Sequence, residues 1–377
     1  MVRRLTLGSA RGFGLSLAVR LLLGFGAFPS FAVLTATPAL AAEGAGGAAE
    51  LLEKGERLFR QGDTSGALQA FDQAAKADPK DARPHYLRGV ALEKKGDAAG
   101  AMAAYRQALA RRADFAEAHN GLGTLLQAKG DKTGAESELA AAVKANPSYP
   151  EAHYNLGIVQ DALGKRTAAI ASYRAAVALK PGEGIYLLDL GAALLKAGDV
   201  DGALPALRSA TQRLPKNAVA WANLGRALSS KKSYEEARKA LETATQLTPD
   251  YPEAWNGLGR VKLRQGQVPA AVAAQERARK LEPKNQFFAA DLCQAVLELK
   301  DAPRAVTECR AAVALDPSYA FAHYELGKAL VGKGDCASAA TELAKFRALP
   351  GVKPEAKSQA EAIARSCVPT AQGSGKK

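Results

Sequence analysis

The chain has 377 residues, 24% of them charged and 6% aromatic, with a net charge of +13. Scarce aromatics and abundant alanine favour closely packed helices over a sheet core. The basic excess suits an acidic partner, an anionic surface or a merely solvated basic exterior. Nucleic acid is excluded as a partner, because no run combines Lys/Arg clusters with stacking aromatics.

The first predicted element is an export signal. Arg3, Arg4, Arg11 and Arg20 precede the apolar stretch Leu21–Leu34, and the small-residue run Ala39-Leu40-Ala41 follows. This order predicts a signal peptide over 1–41, cleaved after Ala41, and a short linker over 42–47. A start at Val19 would give a more compact signal. The alternative is an uncleaved anchor through 21–42, a stretch without charge that Pro29, Pro38, Gly24 and Gly26 weaken as a helix. No cysteine lies near the cleavage region, which disfavours a lipid anchor.

From residue 48 a 34-residue clock takes over. Alanine recurs at Ala67, Ala101, Ala135, Ala169, Ala203, Ala237, Ala271, Ala305 and Ala339. Glycine stands twelve residues ahead of eight of these, at Gly55, Gly89, Gly123, Gly157, Gly191, Gly225, Gly259 and Gly327, with Cys293 in the remaining place. Nine units in one register over 48–353 predict one continuous array without a second domain. In each, apolar residues three or four apart mark a first helix, as in Trp221, Leu224 and Leu228. A Gly-Asp turn follows, as at Gly62-Asp63 and Gly96-Asp97, where glycine tolerates a left-handed backbone and aspartate caps the next helix. A second helix then ends near a proline such as Pro249. The glycine is expected to face the alanine across each hairpin, so a leucine at Gly157 or Ala169 would overpack it. Pro354 opens a further helix over 354–367, with Ala356, Ala360, Ile363, Ala364 and Cys367 on one face, predicting a cap. Residues 368–377 read as a disordered tail.

These residues resemble the tetratricopeptide repeat. The unit Trp221-Ala222-Asn223-Leu224-Gly225, with Leu228, Ala237, Leu241, Ala244 and Pro249, is similar to that consensus nearly throughout. The resemblance implies an all-α fold, a right-handed superhelical solenoid of nine helix pairs whose first helices line a concave, peptide-binding surface. Departures are local: Cys293 replaces a glycine, Gln275 a large apolar residue and Phe346 a small one.

Four histidines, His85, His119, His153 and His323, occupy the register of Trp221 and Trp255. Repeats spaced by two helix widths, about 20 Å, would keep them too far apart to share a metal, so they read as packing residues. No catalytic triad, phosphate loop or zinc spacing is present, and the chain reads as a non-enzyme without a cofactor. The four cysteines fall after residue 290. Antiparallel stacking of the cap favours Cys336 with Cys367. Cys293 and Cys309 face across one hairpin, with an offset that strains the ~7 Å limit between α-carbons. Small buried thiols are the alternative.

In frame, Tyr86, Asn120, Tyr154, Asn155, Asp189, Asn223, Arg226, Asn256, Arg260 and Arg264 fall on the inner face, with Tyr324 and Lys328 continuing it. The amides of Asn155, Asn223 and Asn256 are suited to pairing with a peptide backbone, and the arginines to a carboxylate. The function read from this face is a protein- or peptide-binding adaptor in a bacterial cell-envelope assembly. Its ligand would be acidic or carry a free C-terminal carboxylate. A self-assembling scaffold, or a regulatory subunit of an enzyme on another chain, is the alternative.

Overall fold

The computed structural model describes residues 45–367, so the export signal or anchor and the tail lie outside the described residues. Among those residues are nineteen α-helices and no strand. The first nine are α1 (Ala45–Arg60), α2 (Thr64–Ala77), α3 (Arg83–Lys95), α4 (Ala98–Arg111), α5 (Ala116–Lys129), α6 (Lys132–Ala145), α7 (Pro150–Ala162), α8 (Arg166–Leu179) and α9 (Gly184–Ala197). Then come α10 (Val200–Arg213), α11 (Ala218–Ser230), α12 (Tyr234–Leu247), α13 (Pro252–Arg264) and α14 (Val268–Leu281). The last are α15 (Gln286–Glu298), α16 (Ala302–Leu315), α17 (Ala320–Lys333), α18 (Cys336–Ala348) and α19 (Pro354–Arg365). Odd-numbered helices up to α17 are the first helices of the nine repeats, even-numbered ones the second. Because α1 begins at Ala45, the last residues of the expected 42–47 linker are helical.

The local code works as the sequence implies. Asp63, Asp97, Asp131, Asp199, Asp301 and Asp335 each accept a hydrogen bond from the amide three residues on, closing the N-terminus of a second helix. The residue before the cap is a left-handed glycine in most repeats, but Lys232 and Lys300 take that conformation at φ 65° and 64°.

Contacts divide the chain between Ala197 and Gly198 into two compact units, α1–α9 and α10–α19. Repeats that touch only their neighbours share no common core, so an unbroken register does not impose a single packed unit. The first unit is cored by Met102, Tyr105, Phe115, Leu122, Leu139 and Val159, and the second by Leu292, Val296, Val306, Leu326 and Leu330 around Cys293 and Cys309.

The glycine meets the alanine through the alanine's backbone carbonyl, as at Gly123 with Ala135 and Gly225 with Ala237. Its nearest side chain is the one four residues beyond that alanine. A Cβ on Gly157 would stand 2.7 Å from the Tyr173 ring, and one on Gly225 would stand 2.6 Å from Leu241 Cγ and 3.1 Å from the Ala237 carbonyl. The alanine lets the two backbones approach, and the glycine makes room for the large residue one turn on. In the eighth repeat both partners are exchanged together: Cys293 stands in the glycine's place and Cys309 in the large residue's. They form a disulfide with α-carbons 5.2 Å apart, so the expected offset does not arise. The second disulfide joins Cys336 to Cys367, α-carbons 5.5 Å apart.

Candidate functional site

Successive first helices pack directly on one another in each unit. Within the first unit, His85, His119 and His153 therefore lie on first helices that touch one another in turn. Their rings serve the chain itself: His153 and His323 donate through Nε2 to the carbonyls of Pro147 and Pro317, each at 2.9 Å. Trp221 and Trp255 donate through Nε1 to Pro215 and Pro249 at 2.9 and 2.8 Å. In His119, Nε2 meets the Ala113 carbonyl at 2.9 Å and Nδ1 meets Glu138 at 2.6 Å. His85 is the exception, since Arg111 occupies the Pro79 carbonyl and leaves the buried His85 Nε2 without a partner. Burial, with Arg111 adding to it, lowers the His85 pKa.

In the first unit the candidate residues are brought together, but into a ladder that links one first helix to the next. Asn155 Nδ2 donates to Asn120 Oδ1 at 2.9 Å, and Tyr154 donates to Asp189 at 2.7 Å. Tyr86 packs on Phe115 with ring centroids 4.9 Å apart, and Tyr154 stacks on Tyr186 at 4.4 Å. Asn155 thus holds neighbouring repeats in register, and its amide is already committed within the protein.

The second unit continues the ladder at Asn256, whose Nδ2 donates to both Gln275 Oε1 and Asp291 Oδ2 at 2.8 Å. Gln275, buried in a place where most other repeats carry leucine, tyrosine or phenylalanine, donates back to the Asn256 carbonyl at 3.2 Å. Of the three amides expected to meet a peptide, Asn155 and Asn256 each donate within the fold, and Asn223 and Asn256 are buried while Asn155 is half-buried.

The arginines differ. Arg260 and Arg264 are exposed and lie one turn apart on α13, and among the described residues no carboxylate pairs with either within 4 Å. Arg226 occupies the register of Arg260 on the adjacent α11 and is partly buried, and desolvation lowers its pKa. Lys328 holds the same register on α17 but binds Glu325 at 2.8 Å and lies over the Tyr324 ring. Glu325 is 1% exposed, and burial raises its pKa despite that lysine.

One class of residue escaped the sequence reading. Phe115, Tyr149, Tyr251 and Tyr319 each stand immediately before a first helix, on the same clock. Tyr149 accepts from Asn120 at 3.4 Å, Tyr251 lies beside Arg226, and Tyr319 lies in the field of Asp291 and Arg260. Burial raises the pKa of all three tyrosines well beyond the usual phenol range. Their 34-residue recurrence was the available signal.

Tetratricopeptide repeat models match residues 52–117 and 92–157, and a longer one, the cilia and flagella-associated protein 70 C-terminal domain, matches residues 144–364. The chain belongs to the tetratricopeptide repeat family. Comparison with curated proteins finds no match. Among solved structures, this tetratricopeptide repeat chain is similar to the APC/C hetero-tetramer Cut9-Hcn1, at 18% identity and a TM-score of 0.53, over 74% of this chain and 55% of that one. It is also similar to PilF of Pseudomonas aeruginosa, at 20% identity and a TM-score of 0.51, over 56% of this chain and 97% of that one. YrrB, described as a TPR protein with an unusual peptide-binding site, shares 26% identity over 50% of this chain and 96% of its own, with a TM-score of 0.46. At such identities the first two likenesses concern the fold alone.

Proposed function

We propose that this chain is a non-catalytic adaptor that binds an acidic protein segment on the α11–α13 face of its second unit, within a bacterial cell-envelope assembly. The observation that carries this reading is the pair Arg260 and Arg264, exposed on one face of α13 without a carboxylate of their own, with Arg226 beside them on α11. Guanidinium groups left in this way favour carboxylates, bidentately where the geometry allows. Export is supported by the arginine-then-apolar order of residues 1–41 and by two disulfides, which persist in oxidising compartments. End-to-end self-assembly is less well supported, because α1 exposes Glu50, Glu53, Lys54 and Arg57 and α19 exposes Glu355, Lys357 and Arg365.

The test is binding of a fluorescent glutamate-rich peptide to the full chain and to Arg260→Ala/Arg264→Ala, with a lysine-rich peptide as control. The double variant should bind the acidic peptide severalfold more weakly and with a shallower salt dependence. Equal affinity and equal salt dependence in the two proteins would overturn the assignment.

A further inference from the structure

The two disulfides sit in different surroundings. Cys293 and Cys309 are 0% exposed, inside the α15–α16 hairpin. Cys336 and Cys367 are both partly exposed, one at the start of α18 and the other just beyond the end of α19.

The accessible bond also fastens the least firmly packed helix of the second unit. From α19 itself only Ala356 and Ala360 are buried, with Ile363 and Ala364 partly so, and Val352 from the preceding loop joins them. Methyl-sized side chains remove little apolar area from water, so their grip is weak. The ion pair of α19 with α18, Arg347 to Glu361 at 3.8 Å, is exposed on both sides and adds little. Beneath the helix lie much larger groups: Tyr324, Leu343 and Phe346, with the Tyr324 and Phe346 rings 5.1 Å apart. Phe346, which departs from the small residue of the other repeats, is 0% exposed and shares a cluster with Ala356 and Ala360 of α19.

We propose that Cys336–Cys367 is an exchangeable disulfide, a modification site for a partner of the dithiol class, and that opening it releases α19 from the end of the second unit. A thiolate of the dithiol attacks one of the two sulfurs, the Cys336–Cys367 bond breaks, and a mixed disulfide forms. The second thiolate resolves it. Two electrons pass to the protein, which keeps two thiols after taking up two protons, and the dithiol leaves as a disulfide. Released, α19 uncovers Tyr324, Leu343 and Phe346. The buried Cys293–Cys309 bond stays closed, because a thiolate reaches it only after the hairpin opens locally. This inference does not depend on the acidic ligand.

The experiment is graded reduction of the oxidised full chain with dithiothreitol under native conditions, with alkylation mapped by mass spectrometry and amide exchange followed in α19. Cys336 and Cys367 should be alkylated about tenfold faster or more than Cys293 and Cys309. Protection of α19 should fall in step, while α15 and α16 keep theirs. Equal alkylation rates for the two pairs would overturn the proposal. So would an α19 that stays protected after its bond is open. The variant Cys336→Ser/Cys367→Ser gives a reductant-free check: its α19 should exchange freely with the rest of the second unit unchanged, and a protected α19 there refutes the latch.

Discussion

Replacing Cys293 by glycine and Cys309 by leucine together would rewrite the eighth repeat in the pattern of the sixth, where Gly225 makes room for Leu241. Removing a crosslink between residues 16 apart loses about 3 kcal/mol of loop-closure stabilisation. A buried leucine returns about 1.5–3 kcal/mol, from which the helical glycine subtracts about 0.5–1 kcal/mol. The variant should therefore fall about 0.5–2.5 kcal/mol below the oxidised parent. Cys293→Ser/Cys309→Ser loses the same crosslink but leaves two hydroxyls in a space that is 0% exposed, at about 1–3 kcal/mol for each one unsatisfied. Urea unfolding followed by the helical signal, in oxidising buffer, should rank parent, glycine–leucine variant and double serine in that order. The two variants should differ by about 2 kcal/mol or more. A double serine as stable as the glycine–leucine variant would refute the equivalence of the disulfide with the glycine and large-residue pair.

Other perturbations test the same packing. Gly157→Ala should lower stability by about 1–3 kcal/mol, since its Cβ would meet the Tyr173 ring at 2.7 Å, while Gly182→Ala, with nothing within 4 Å, should be nearly silent in a thermal melt. Lys232→Gly and Lys300→Gly should each raise the unfolding free energy from urea titration by about 0.5–1 kcal/mol, because both lysines hold a left-handed backbone; a fall would contradict the strain argument. Glu325→Gln should show a pH signature. Burial raises the folded-state pKa of Glu325, so its contribution is fully present below the unfolded value and is lost as pH rises through the folded one. The variant escapes that loss, so its stability relative to the parent should improve from acid to neutral pH; the opposite trend would show that the Lys328 pair outweighs desolvation.

Much of this molecule was legible in one dimension. The 34-residue clock located both helices of every repeat and the Gly-Asp turns, and Pro354 with the apolar face behind it located the cap helix. It also placed the histidines in the tryptophan register. These follow from local chemistry: a cap, a left-handed glycine and an apolar period act within a few residues of themselves. The clock also carried Phe115, Tyr149, Tyr251 and Tyr319, which went unread because each lies just outside a helix.

What a period cannot convey is rotation and neighbourhood. The side chain that meets each glycine is one turn beyond the alanine, a matter of how two helices are turned about their axes. Asn155 and Asn256 looked like ligand donors on a helical projection, yet their partners lie 35 residues away on the next first helix. Sequence alone determined the repeat and its helices, because these depend on local pattern. Tertiary structure alone decided which amides are spent inside the fold, which cysteine pair is accessible and where the array divides, because each depends on groups brought together only when the helices pack.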